Sequence, residues 1–158
     1  MKSTHLIFSV LVGLVLILTA CSPQATEAPP ATSAAIPVTG AAVVNLGQND
    51  TLGSFLVDDK GMTLYLFTKD TPNTSSCYDK CATTWPPLLT TDAPAADEGV
   101  DASMLGTTTR TDGTIQVTYN GWPLYYYEKD KAPGDVVGQD VGDVWFVISP
   151  AGDKVTTP

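Results

Sequence analysis

Histidine is almost missing from this chain of 158 residues: the one copy, His5, sits near the N-terminus. If that segment is removed on export, the working protein has no imidazole. Ser-His and Cys-His nucleophilic catalysis, His-ligated zinc and His-ligated haem are then excluded. Basic residues are scarce as well, 8 against 17 acidic, for a net charge of −9. So acidic a surface argues against nucleic acid, because phosphate neutralisation needs clustered Lys and Arg. It also argues against an electrostatic grip on anionic lipid. The chain has only three cysteines, and no Cys-x-x-Cys pair.

The one long apolar run is N-terminal. Lys2 and His5 precede Leu6 to Leu18, interrupted only by Ser9 and Gly13. That is the length of a signal-peptide core and falls short of the roughly 20 residues of a spanning helix. The run ends in Leu18-Thr19-Ala20-Cys21. Two small residues before a Cys resemble the bacterial lipobox, in which the Cys is acylated and becomes the new N-terminus. The reading is a signal peptide over 1–20 and an anchor to membrane lipid through acylated Cys21, without a spanning helix. Residues 21–42 are then a tether. Ala, Pro, Thr and Ser dominate it, with Pro23, Pro29, Pro30 and Pro37 along its length. Such a segment buries too little apolar surface to offset its ordering entropy. About 20 residues of this kind reach roughly 25 Å.

The remainder, 43–158, is expected to be one domain containing a duplication. Shifted by 60 positions, the chain matches itself without a gap. Gly53 meets Gly113, Val57 meets Val117, Gly61 meets Gly121, and Leu64-Tyr65 meets Leu124-Tyr125. Lys69-Asp70 meets Lys129-Asp130, and Trp85 meets Trp145. Repeat 1 covers about 52–90 and repeat 2 about 112–150, too few units for a solenoid. The expected fold is all-β: hairpin repeats in one pseudo-symmetric domain with at most one or two short helices. Thr114 to Tyr119 alternates polar and apolar, and Asn120-Gly121 then turns the chain into a return strand at Leu124–Tyr127. In the first unit Ser54–Asp58 goes out and Thr63–Phe67 returns. Asp112-Gly113 turns Gly106–Arg110 into the next strand, and Trp145–Ser149 is a late strand. A short helix is expected at Cys77–Thr83, with Ser76 and Asp79 at capping-box spacing.

Tyr65-Leu66-Phe67-Thr68-Lys69-Asp70 and Tyr125-Tyr126-Tyr127-Glu128-Lys129-Asp130 both read Tyr-x-aromatic-x-x-Asp. Together with Cys77 and Cys81 ahead of Trp85-Pro86-Pro87-Leu88, and Trp145 in the second copy, they resemble a family of bacterial predicted lipoproteins made of secreted repeats. The resemblance implies export, lipidation and tandem repeats, and brings no established activity.

Several constellations could carry chemistry. Tyr65 with Phe67, and Tyr125 with Tyr127, share a strand face. They are core-fillers whose Asp70 and Asp130 bond turn N–H groups or a Tyr O–H, or else they line an aromatic groove with an acidic rim. Cys77 and Cys81, spaced Cys-x3-Cys, read as a structural disulfide in an oxidising compartment; thiol exchange and a metal thiolate are the alternatives. The shift sets Cys77 on Val137 and Cys81 on Val141, which predicts two buried, core-facing sites. Asp92, Asp97, Glu98 and Asp101 form one acidic loop, and Asp130, Asp135, Asp140 and Asp143 another; neither has EF-hand spacing, and both read as solvated surface. Tyr119, Trp122 and Tyr126 are the candidate binding patch, for a glycan, a quinone-like ring or a protein. No catalytic set, metal site or cofactor site is legible. The leading expectation is therefore a non-enzymatic envelope module binding an envelope protein or glycan. A redox accessory using the Cys pair and the aromatics stands second. A carboxylate hydrolase drawing on Asp70, Asp130, Asp135 or Asp143 stands third.

Overall fold

The computed structural model describes residues 40–156. The expected export signal, Cys21 and the part of the expected tether up to residue 39 lie outside them. Eight short strands carry the fold: β1 Val43–Asn49, β2 Gly53–Asp58, β3 Tyr65–Phe67, β4 Ala95–Ala96, β5 Leu105–Thr109, β6 Ile115–Tyr119, β7 Trp122–Pro123 and β8 Trp145–Val147. One helix, α1 Lys80–Thr84, and a 3-10 turn at Ala102–Met104 complete the elements among the described residues. The expectation of an all-β fold therefore holds.

The strands make three sheets in the orders β2-β1-β4, β3-β8 and β5-β6-β7. The antiparallel pairs β1–β2 and β5–β6 are corresponding hairpins of the two repeats. Asn120 and Gly121, at φ 48° and 79°, form the tight turn after β6, a conformation that Gly adopts without steric penalty. The repeats join at their centres. β3 of the first pairs with β8 of the second, setting Tyr65 opposite Val147 and Phe67 opposite Trp145. Tyr65 and Tyr125 also exchange both backbone bonds, N–H to O at 2.8 and 3.0 Å. A pseudo-twofold axis passes between them.

That junction corrects the expected hairpins. The first return strand does start against β2, with Leu64 N–H donating to Leu56 O at 3.0 Å, but Tyr65–Phe67 then leaves for β8. In the second unit β7 stops at Pro123, which has no N–H to donate. Beyond it, Tyr125 bridges to Tyr65 and to Pro87 instead of continuing beside β6. The helix begins at Lys80 rather than Cys77. The N–H and hydroxyl of Ser76 are held by Asp70, so Ser76 cannot cap it, and the residue before the helix, Asp79, sits at φ 51° with no capping bond.

Because the central strands are covered on both faces, alternate residues supply two cores. Leu56, Leu64, Leu66, Leu124, Phe146 and Ile148 belong to an aliphatic one that also takes Val100 from the long loop. Phe55, Val57, Tyr65, Trp85, Tyr125, Tyr127, Trp145 and Val147 belong to an aromatic one. The odd and even positions of a strand point to opposite faces, which puts Leu64 and Leu66 in the first core and Tyr65 in the second.

Candidate functional site: crossed tyrosine–carboxylate pairs and an aromatic column

In each repeat the central strand runs straight into a turn. Asp70 N–H donates to Phe67 O at 3.0 Å, and Asp130 N–H donates to Tyr127 O at 3.1 Å. This folds each carboxylate back beside the pseudo-axis, where the tyrosine it meets belongs to the other repeat. Tyr65 Oη donates to Asp130 Oδ2 at 2.7 Å, and Tyr125 Oη donates to Asp70 Oδ2 at 2.6 Å. The remaining oxygens are held as well. Asp70 Oδ1 accepts the N–H and hydroxyl of Ser76, both at 2.7 Å, and Asp130 Oδ1 accepts Val137 N–H at 3.0 Å. The hydroxyls of Tyr125 and Ser75 are 2.7 Å apart. Burial raises both carboxyls above their ordinary 3.8, although the tyrosine hydrogen bonds pull the other way. Burial, reinforced by the facing carboxylate, raises both phenols far above their ordinary 10.

Beneath these pairs lies a column of four rings alternating between the repeats. Phe67 stacks on Trp145 at 4.1 Å, Trp145 on Trp85 at 4.0 Å, and Trp85 on Tyr127 at 4.0 Å between centroids. Tyr65 meets Trp85 edge-on at 5.4 Å, and Tyr125 meets Trp145 likewise at 5.2 Å. Offset stacks and edge contacts add about 0.5–1.5 kcal/mol per pair beyond burial. The motif residues Tyr65, Phe67, Asp70, Trp85, Tyr125, Tyr127, Asp130 and Trp145 therefore come together as one duplicated strut.

Cys77 and Cys81 form a disulfide, with Cα atoms 5.2 Å apart. Their expected equivalence to Val137 and Val141 holds only in part: Cys77 is fully buried, whereas Val137 is 57% exposed. Arg110, the chain's only arginine, was not singled out by the sequence. Its buried guanidinium donates to Cys77 O at 2.7 Å, Ser75 Oγ at 2.9 Å and Gln116 Oε1 at 2.7 Å, and lies 4.4 Å above the Tyr78 ring. The only hint in the sequence was a lone arginine in a chain that otherwise uses lysine.

The expected aromatic patch does not form a surface. Tyr119 is fully buried, donating to Pro150 O at 2.8 Å, and the half-buried Tyr126 donates to Asp58 Oδ2 at 3.0 Å. Trp122, half-buried, is the member left beside open space. The acidic loops bond their own turns: Asp135 Oδ2 accepts Lys131 and Ala132 N–H, and Asp101 Oδ1 accepts Ser103 N–H. Among the described residues no three His, Cys, Asp or Glu converge as metal ligands, and no helix is long and apolar enough to cross a membrane.

The crossed pairs and the reciprocal Tyr65–Tyr125 bonds define a tandem-repeat β protein whose two copies share one junction. A family described as a secreted repeat of unknown function matches residues 48–89 and again residues 106–149. The chain belongs to that family. The matched segments start 58 residues apart and end 60 apart, in keeping with the duplication read from the sequence. No curated protein and no solved structure matches the chain.

Proposed function

We propose that the protein is a lipid-anchored module of the cell envelope that binds a partner and catalyses nothing. One observation carries this reading: the polar atoms of the duplicated motif are engaged with each other across the repeat junction. A general acid or base must present its proton to a substrate. Asp70 and Asp130 instead hold tyrosine hydroxyls and backbone amides, which removes them from the hydrolase reading. The disulfide likewise sits with one cysteine fully buried and its carbonyl held by Arg110, as a structural staple does. Membership of a secreted-repeat family supports an extracytoplasmic location. The lipobox at Cys21 supports the anchor.

Replacing Cys21 by Ala moves the protein from the membrane fraction to the soluble fraction and removes its acyl mass. Retention of the unacylated variant in membranes overturns the anchor. Chemical cross-linking of the full-length protein in intact envelopes is expected to give a discrete adduct. Recovery of the free protein alone overturns the binding role.

A further inference from the structure

The two repeats differ at the outer end of their central strands, and the difference leaves a vacancy. In the 60-residue correspondence Leu66 answers to Tyr126, and Met62 to Trp122. In one half the ring of Tyr126 fills its place against the aliphatic core and donates its hydroxyl to Asp58. In the other half Leu66 has no ring. Beside it lies a cavity of about 280 Å³ lined by Leu66, Thr68, Trp122, Asp153 and Lys154.

The walls are built by close approach. Gly152, at φ 82°, lets its turn come so near the hairpin tip that a Cβ there would lie 2.5 Å from Asn120 Cβ. That contact sets Asp153 and Lys154 beside Trp122. The neighbouring chain is fixed by Ser149 N–H donating to Asp153 O at 2.8 Å and by a bridge between Ile148 and Lys154. The Lys154 ammonium sits 4.6 Å over the Phe146 ring.

The geometry points to a saccharide site that takes one pyranose ring. This rests on reading the protein as a binding module. At about 280 Å³ the cavity lies just below the usual size of ligand clefts, which start at about 300 Å³, so one ring fits and a long chain does not. Trp122 is one of the lining residues, and an indole is a flat apolar surface of the kind on which the axial C–H groups of a sugar pack. The walls are mostly apolar, and the residues that line them include complements of hydroxyl groups: Asp153, whose carboxylate only accepts, Lys154, whose ammonium only donates, and Thr68, whose hydroxyl does both. An aromatic side chain of a protein partner would leave the groups on Asp153 and Thr68 unanswered. With a net charge of −9, the chain favours a neutral sugar over an anionic one.

The test titrates full-length protein in detergent with cellotriose and with tri-N-acetylchitotriose, followed by calorimetry and tryptophan fluorescence. The two sugars separate a plain glucan from an N-acetylated wall glycan as the source of the ring. Saturable binding with a Kd of about 10 mM or tighter is expected for at least one of them. Trp122→Ala should weaken it tenfold or more. Asp153→Asn, at an exposed position, should weaken it severalfold with the thermal midpoint unchanged, so the result does not depend on the fold surviving loss of the indole. Binding that neither substitution alters overturns the cleft and leaves the binding-module reading intact. Binding of neither sugar overturns the saccharide assignment, and so does a response only to a tyrosine-containing peptide. The module itself stands or falls by the envelope cross-linking.

Discussion

At the level of single residues, the Tyr65–Asp130 hydrogen bond is the contact whose loss is most informative. Tyr65→Phe keeps the ring in the aromatic core and deletes only the hydroxyl, leaving Asp130 Oδ2 without its donor and Gly138 N–H without its acceptor. Orphaned buried groups of this kind cost about 1–3 kcal/mol each, so urea denaturation should show a loss of that order. The loss depends on pH with a definite sign. Burial lifts the folded-state pKa of Asp130 above 3.8, so the folded protein binds this proton more readily than the unfolded chain does. Stability from this group is therefore gained as pH falls through the folded pKa and lost as pH rises through it. Removing the tyrosine donor, which favours the carboxylate, lifts that pKa further. The Tyr65→Phe deficit should accordingly be larger at neutral pH than near about pH 4. An equal deficit at both pH values would mean that Asp130 carries no such linkage. Which tyrosine meets which aspartate was not legible in the sequence: the motif showed both residue types, but the partners lie 65 and 55 positions apart and only tertiary pairing joins them.

At the level of elements, the duplication and the Asn120-Gly121 turn were legible because each depends on local residues. The segment that carries the cysteines was not. Its register slips: Asp70 accepts the N–H six residues on, at Ser76, while Asp130 accepts the one seven residues on, at Val137. One extra residue in the second copy therefore sets Cys77 against Gly138. Cys81 still matches Val141, since Trp85 and Trp145 N–H donate to Cys81 O and Val141 O respectively. No identity falls between Asp70 and Trp85 to reveal the slip. Valine at 77 is thus no copy of the other repeat, and at a fully buried site its branched side chain risks overpacking. The double variant Cys77→Ala, Cys81→Val is expected to fold, with a loss of about 2 kcal/mol from opening so short a loop. Thermal denaturation under reducing and oxidising conditions checks this: the variant should be indifferent to reductant and the parent should not. A variant that fails to fold would make the bridge essential to the fold. The Trp122 patch was half legible. Its aromatics were visible, but not that a covering layer would bury Tyr119.

At the level of the whole molecule, the crossed pairs mean that neither repeat completes itself. A chain cut at Gly99 separates Tyr65 from Asp130, Tyr125 from Asp70, and β3 from β8. Neither fragment should fold as a monomer, and mixing the two should restore the β signal in circular dichroism. A half that folds alone should sediment as a dimer, since a second copy of itself can supply the crossed partner around a true twofold axis. A folded monomeric half would contradict the shared junction. The same junction fixes the optical character of the protein. It has three tryptophans, and two of them, Trp85 and Trp145, lie 4.0 Å apart with planes 3° from parallel. Indoles held so close couple their excited states, so their near-ultraviolet transitions should split. Trp122 is the third, outside the column and in the lining of the cleft. The near-ultraviolet dichroism thus reports whether the two repeats are joined, while the fluorescence of Trp122, the one indole that lines the cavity, should respond to its contents. A single sample carries a built-in gauge of assembly and, at a different wavelength, a built-in gauge of occupancy.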